Sequence, residues 1–375
     1  MKNNPAKDNS KAKQPCCGGI NTQIQYEEPE SDGTVTSGGL EIPRVNTRWG
    51  SAERMGEAMV RLGFKRMGYA VEPGVYAVNT PDENSPVFVS ANYKLSFDVL
   101  KRELKGINSW ILAVDTKGVN VWCSAGKGTF SAEEVSKEIL RSNLGRLVKH
   151  DTVILPQLSA PGVAAHKVKE LCGYKAVFGP VEAYDIKYFL DNNMKTDEKM
   201  REVSFNAGRR LEVSWLELIL AMDKLFWPMI AVIVLSGIGS RGFVLYDAVY
   251  RGMFYLYAAL TGMISGSVLF SLLLPVLPGR YFSVKGLYAG ITGAVFFVLF
   301  SGVLSGPYMA LHLPAAVLII TAVSSFAAMN YTGCSTFTSI SGVKTEVKNS
   351  IPFIIAGGVI SLLLIITEMI IRVTA

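Results

Sequence analysis

The chain is 375 residues long, 49% hydrophobic and 18% charged, with a formal net charge of +6. Charged residues crowd the stretch up to about Arg210 and thin out from Leu225 onward, which excludes a single soluble domain and predicts two domains of different class. The basic excess sits in a Lys-rich tail and in loops flanking apolar runs, so it points to the cytoplasmic face of a membrane and away from nucleic acid.

Residues 1–19 contain Lys, Asn, Pro and Ser and no apolar run, unlike a signal peptide. Residues 1–40 read as a disordered tail, and 41–200 as a cytoplasmic domain. The cysteines, Cys16, Cys17, Cys123, Cys172 and Cys334, are odd in number and dispersed, which argues against a disulfide framework and for a reducing compartment. Adjacent thiols at Cys16 and Cys17 suit a soft cation such as Hg(II); an incidental pair in the tail is the equal alternative.

Within 41–200, apolar strand-like runs alternate with helix-like ones. Strands are predicted at Val87–Ala91, 110–114, 153–155 and Lys175–Phe178. Helices are predicted at 96–104 with Ser96 as cap, at 130–144 with Ser131 and Glu134 as a capping box, at 164–172 and at 184–190. This alternation predicts an α/β, Rossmann-like domain with a parallel sheet covered by helices. Ligands of such sheets sit beyond the carboxyl ends of the strands. The loops there are 92–94, 115–127, 156–162 and 179–181, and their candidate contacts are Asn92, Thr116, Pro156, Gln157, Pro161, Gly162 and Gly179.

The second of these loops carries the most distinctive stretch, Asn120-Val121-Trp122-Cys123-Ser124-Ala125-Gly126-Lys127. A lone thiol stands between a large flat side chain and a run of small residues that lets another body approach the backbone. Such a thiol suits a soft metal centre, and no second cysteine lies near it. Gly126-Lys127-Gly128-Thr129 fails as a phosphate loop, because Val121 and Gly128 occupy positions that need Gly and Ser or Thr. His150, His166 and His312 form no metal-ligand pair at helical spacing and read as surface or packing residues. Cys172, late in a helix, reads as core.

Residues 201–224 read as a linker and an amphipathic lead-in. In 225–375, five segments are apolar over about the 20 residues a bilayer needs: 225–242, 254–277, 287–305, 309–331 and 351–371. With the N-terminal domain inside the cell, Arg209, Arg210, Lys224, Arg280, Lys285, Lys344 and Lys348 fall on that side and only Arg241, Arg251 and Arg372 opposite. The pairs Gly262/Gly266, Gly286/Gly290 and Gly302/Gly306 predict close helix packing, with a transport path as the lesser alternative. His312 and Glu368 read as residues snorkelling at span ends. The hydroxyl-rich segment 330–343 reads as a cytoplasmic surface loop, in which Cys334 is either structural or a ligand for a thiophilic metal.

The motif 120–127 resembles the cap-helix signature of the membrane corrinoid proteins of microbial mercury methylation. Segments 90–97, 110–118, 155–163 and 336–343 resemble the corrinoid domain of the corrinoid iron–sulfur protein of acetyl-CoA synthesis. The cap cysteine and the multi-span tail depart from the latter, and the N-terminal cysteine cluster that would hold its iron–sulfur centre is missing. The resemblance implies a cobalamin-type corrinoid with its nucleotide tail off the cobalt, and Cys123 below the metal as thiolate. It implies that Asn120, Val121, Trp122, Ser124, Ala125, Gly126 and Lys127 form the rest of the cap. It further implies a methyl donor from the methyltetrahydrofolate pathway, Hg(II) as acceptor, and a partner ferredoxin with two iron–sulfur clusters. The expected location is the inner membrane, multi-pass, with the N-terminal domain in the cytoplasm. Alternative readings are a membrane methyl carrier of one-carbon metabolism and a non-enzymatic corrinoid or metal module.

Overall fold

The computed structural model describes residues 25–61, 63, 69–305, 308–334 and 340–374. The chain divides into two compact units, Met1–Val203 and Ser204–Ala375. Cys16 and Cys17 lie outside the described residues.

In unit 1, β1 (Gln25–Glu27), β2 (Ser31–Ser37) and β3 (Leu40–Val45) precede α1 (Ser51–Arg61). Residues 25–40, read from sequence as part of a disordered tail, carry strand structure, and residues 1–24 lie outside the described residues. Alternating side chains at Thr34-Val35-Thr36 and the glycine pair Gly38-Gly39, at φ 56° and 74°, close β2 and β3 into a tight antiparallel hairpin. There follow β4 (Tyr69–Val71), β5 (Gly74–Val78), β6 (Val87–Ala91), α2 (Lys94–Glu103), β7 (Ser109–Val114), α3 (Val121–Lys127) and α4 (Ala132–Arg141). Completing the unit are β8 (Thr152–Leu155), α5 (Ala165–Cys172), β9 (Lys175–Phe178), α6 (Ile186–Asp191) and α7 (Glu198–Arg201).

The main sheet has seven strands in the order β2-β3-β5-β7-β6-β8-β9. The block β7-β6-β8-β9 is parallel, as predicted. However, β5 runs antiparallel to β7, which makes the whole sheet mixed. All residues of β6 and β7 are buried, as covering on both faces requires. Phe97 of α2 and Phe189 of α6 pack with one set of sheet side chains, and Val135 and Ile139 of α4 with Val168 of α5 pack with the other. Ser131 caps α4 by accepting from the Glu134 amide at 3.4 Å. By contrast, α2 starts at Lys94 with Tyr93 at its cap position and no side-chain cap bond, so Ser96 lies inside the helix.

Among the described residues, unit 2 has five helices long and apolar enough to cross a membrane. They are α8 (Ala207–Ser236), α9 (Leu245–Ile264) continued through a π-helical turn into α10 (Phe270–Leu273), α11 (Phe282–Phe300), α12 (Met309–Asn330) and α13 (Ile340–Thr374). The expected number holds and the bounds shift. The lead-in and first span merge into α8, which ends at Ser236 because Gly237, Gly239 and Gly242 form a small hairpin of β10 (Ile238–Gly239) and β11 (Gly242–Phe243). The third span begins at Phe282 and ends at Phe300.

The glycines act as packing surfaces. A Cβ added at Gly262 would lie 2.7 Å from the Ile320 carbonyl oxygen, and one at Gly290 2.8 Å from Ser324 Cβ, so helix backbones touch and no path runs between them there. Gly302 lies beyond the end of α11, and Gly306 lies outside the described residues. The segment 330–343 begins as a turn at Tyr331–Cys334 and restarts as α13; residues 335–339 lie outside the described residues.

Candidate functional site on the face of α3

The site grows from the end of β7. The chain leaves the sheet at Asp115 and turns through Lys117 and Gly118, both in the left-handed region at φ 59° and 65°. It then enters α3 at Asn120, whose side chain accepts from the Cys123 amide at 2.9 Å. This cap starts a helix of only seven residues. Ser124 donates to the Asn120 carbonyl at 2.7 Å, and Gly128, at φ 81°, ends the helix.

Helical periodicity sorts the motif into two faces. Val121, Ser124 and Ala125 are buried against the unit. Trp122, Gly126 and Lys127 are exposed and Cys123 is half-buried. Gly126 lies three residues after Cys123 and four after Trp122, so it occupies the same patch as both. An added Cβ at Gly126 or Gly128 meets nothing within 4 Å. The result is a face bearing one half-buried thiol and one indole plate 41% exposed, with open space at Gly126 and Gly128. That donor set fits a flat macrocycle with a thiophilic metal: soft sulfur, a flat apolar wall and room for close approach.

The buried face is held by close contact. A Cβ at Gly162 would lie 2.6 Å from the Ala125 carbonyl oxygen and 2.7 Å from its Cα, so only glycine lets the 156–162 loop seat α3. Pro156 and Gln157 are half-buried and Pro161 is exposed, which leaves side chains of this loop accessible beside α3. Gly179 is buried, and its amide donates to the Leu155 carbonyl at 2.8 Å.

Asn92 and Thr116 are fully buried, at 0% exposure. Asn92 Oδ1 accepts from the Thr116 amide at 2.9 Å, the Thr116 hydroxyl at 2.9 Å and the Gly118 amide at 3.2 Å, while its Nδ2 donates to the Val71 carbonyl at 3.2 Å. The Thr116 hydroxyl also lies 2.6 Å from the Val119 carbonyl. These two residues therefore shape the loop that delivers α3. Asn92→Ala leaves the buried Thr116 and Gly118 amides without their acceptor, at about 1–3 kcal/mol each. Thermal or denaturant unfolding of the full chain should show a loss of about 3 kcal/mol.

Sequence reading missed two contributors. Tyr26 of β1 reaches Asp115 Oδ1 at 3.4 Å, from a segment expected to be disordered. Lys117 contacts the other Asp115 oxygen. Burial works to raise the Asp115 carboxyl, but the Lys117 side chain and amide, the Lys117 charge and the Tyr26 hydroxyl outweigh it and hold the group below the usual aspartate range. A carboxyl lowered in this way contributes stability that is full above its unfolded value and is lost as pH falls through the lowered one. Asp115→Asn should thus be less stable than wild type at neutral pH, and the two unfolding curves should converge below the ordinary aspartate range.

Cys172 and His150 serve the packing of unit 1. Cys172 is half-buried, donates to the Val168 carbonyl at 3.2 Å and packs against the core. His150 bridges the Ser85 carbonyl and the Thr152 amide, a structural role. Among the described residues, no three His, Cys, Asp or Glu side chains gather as a metal cluster.

Residues 65–190 match a family model described as CO dehydrogenase/acetyl-CoA synthase delta subunit. The chain is 32% identical over 130 residues to the acetyl-CoA decarbonylase/synthase complex subunit gamma of Archaeoglobus fulgidus, covering 34% of this chain and 27% of that protein. Subunit gamma 2 of Methanosarcina thermophila is 33% identical over 132 residues, at 34% and 28% coverage. The corrinoid/iron-sulfur protein large subunit of Moorella thermoacetica is 32% identical over 126 residues, at 33% and 28% coverage. The chain thus spans little more than a quarter of the length of these relatives. The segment 65–190 matched by the delta-subunit model includes the whole of α3 and with it Cys123.

Proposed function

We propose that unit 1 holds a cobalamin-type corrinoid against the open face of α3, with Cys123 as its lower-face sulfur ligand. On this reading the chain is a membrane-bound methyltransferase that passes a methyl group to Hg(II), giving methylmercury. The observation that carries the reading is the α3 face: a half-buried thiol beside an exposed indole, with open space at Gly126. The similarity of 126 residues of this chain to a corrinoid/iron-sulfur protein large subunit supports the cofactor class.

When bound, the corrinoid supplies a methyl group held on cobalt, and the protein supplies binding, orientation and charge. Cys123 brings a polarisable sulfur that is anionic as thiolate. Hg(II) is an electrophile, so the methyl group would leave with its bonding electrons or as a radical. Were the corrinoid bound against α3, the charge of a Cys123 thiolate would favour departure with the electron pair more than water or neutral imidazole would. Asn120 holds the Cys123 backbone in place, and Trp122 and Lys127 flank the face. A ferredoxin with two iron–sulfur clusters, the partner the resemblance implies, would supply the two electrons that the loaded site would need after each transfer. The methyltetrahydrofolate pathway would restore the methyl group. Unit 2 would anchor the chain in the inner membrane with unit 1 in the cytoplasm.

A second reading is favoured by the names of the relatives, which are subunits of acetyl-CoA decarbonylase/synthase complexes: a membrane corrinoid protein that carries methyl groups between carbon metabolites. Purified, methyl-loaded full chain offered Hg(II) or acetyl-CoA synthase separates the two. Methylmercury formation without transfer to the synthase supports mercury methylation. Transfer to the synthase with none to Hg(II) contradicts it.

A further inference from the structure

Buried charges of unit 2 find partners inside the bundle. Glu368 of α13 accepts from the Tyr255 hydroxyl of α9 at 2.9 Å and lies 2.7 Å from His312 Nε2 of α12 and 3.0 Å from Arg372 Nη2. Arg372 Nη1 donates to the Ser236 carbonyl, at the end of α8, at 3.1 Å. Four helices therefore meet at one carboxylate, which corrects the expectation that His312 and Glu368 snorkel at span ends. Arg210 Nε donates to the Ser271 carbonyl at 2.7 Å, and Glu346 Oε1 accepts from the Ser283 amide at 2.7 Å.

Asp223 and Lys224, adjacent on α8, differ from these. Both are exposed. Among the described residues, Asp223 makes no side-chain hydrogen bond or ion pair, and Lys224 lies over the Phe326 ring, 5.2 Å from its centroid. Lys224 stands 12 residues before Ser236, the last of α8, or about 18 Å of helix. Bilayer hydrocarbon is about 30 Å thick, so an α8 that crosses it carries both charges within the apolar layer. Charges that face lipid there are costly and call for partners.

The surrounding face points to the partner. Of the five long helices, α8 is the least covered by its neighbours. Beyond the charged pair, Trp227, Ala231 and Val234 recur at i, i+4 and i+7, and all three are exposed, so they form one helical stripe. Ala231 is small enough to let a second helix come close. Asp223 and Lys224 fall about 50° to either side of this stripe. By contrast, every exposed residue of α13 from Phe353 to Leu363 is apolar, as a lipid-facing surface should be.

Two copies inserted the same way in a membrane are related by an axis along its normal, so their α8 helices run parallel. A two-fold contact uses the same patch on both copies. A residue to one side of the stripe then meets, at the same height, the residue on the other side of the second copy's stripe. Asp223 of each copy faces Lys224 of the other, and both charges are cancelled without a foreign partner.

We propose that α8 forms the seam of a two-fold dimer of this chain, packed through Trp227, Ala231 and Val234 and locked by two reciprocal Asp223–Lys224 ion pairs.

The full chain, carrying one fluorophore per copy and diluted in lipid vesicles, should bleach in two steps per particle. Asp223→Lys sets like charges across the seam and should weaken association by about 10-fold or more. Adding Lys224→Asp to that variant restores opposite charges and should restore the dimer. A monomeric wild type, an Asp223→Lys variant as dimeric as wild type, or a double variant that inserts but stays monomeric overturns the proposal. Should the charge variants fail to insert, crosslinking decides. Oxidation of Ala231→Cys in the membrane should give covalent dimer above the wild-type background, and Phe353→Cys on α13 should not. Equal yields from the two, or none from Ala231→Cys, overturn the seam.

Discussion

Replacing Cys123 with alanine should abolish methyl transfer to Hg(II) and leave the fold unchanged. The side chain is half-buried on the open face of α3, and the helix is held by Asn120, Ser124 and the Gly162 contact, none of which uses the sulfur. Unfolding should therefore move by less than about 1 kcal/mol, as for a small change away from the core. Activity should fall by more than about 100-fold, because losing even the outer partners of a metal ligand costs about 10–100-fold. Cys123→His is sharper, since imidazole still coordinates metals. Its failure to transfer methyl, while still binding corrinoid, would separate charge donation from simple ligation. Retained activity in both variants would remove sulfur from the mechanism.

Gly162→Val should have the second largest effect, at a residue with no reactive group. Even a methyl at this position would sit 2.6 Å from the Ala125 carbonyl oxygen and 2.8 Å from its side chain, below any real contact. Either the 156–162 loop or α3 must retreat. Overpacking of this kind costs about 1–3 kcal/mol, and here the displaced element carries Cys123. The expected outcome is a destabilised but folded chain with weakened corrinoid binding and accelerated alkylation of Cys123 as the helix frays from its seat. Normal binding and unchanged thiol reactivity would show that α3 does not depend on this contact.

Much of unit 1 was legible because its strands are short apolar runs bounded by turn residues. Val87–Ala91 and Lys175–Phe178 fall where predicted, and the Ser131 cap is a local three-residue signal. The antiparallel β5 was not legible, because its partner β7 is set by pairing across about 35 residues and apolar runs carry no direction. The β2–β3 hairpin had a usable sign in Gly38-Gly39 between alternating residues, obscured by the polar composition around it. At the site, α3 and its cysteine could be read from sequence. The division of labour among the loop residues could not, since Asn92 and Thr116 are distinguished from Pro156 and Gln157 only by burial. In unit 2, hydropathy found the helices. The meeting of Tyr255, His312, Glu368 and Arg372 arises because the ends of separate helices coincide, which no local pattern records.

The central claim, that the sulfur of Cys123 stands against a corrinoid metal, is tested most directly by cobalt X-ray absorption on the corrinoid-loaded full chain in each accessible oxidation state. A sulfur scatterer at bonding distance in wild type, absent in Cys123→Ala, is the predicted result. A cobalt shell with only nitrogen, oxygen or carbon neighbours in every state, identical in the two proteins, would contradict it.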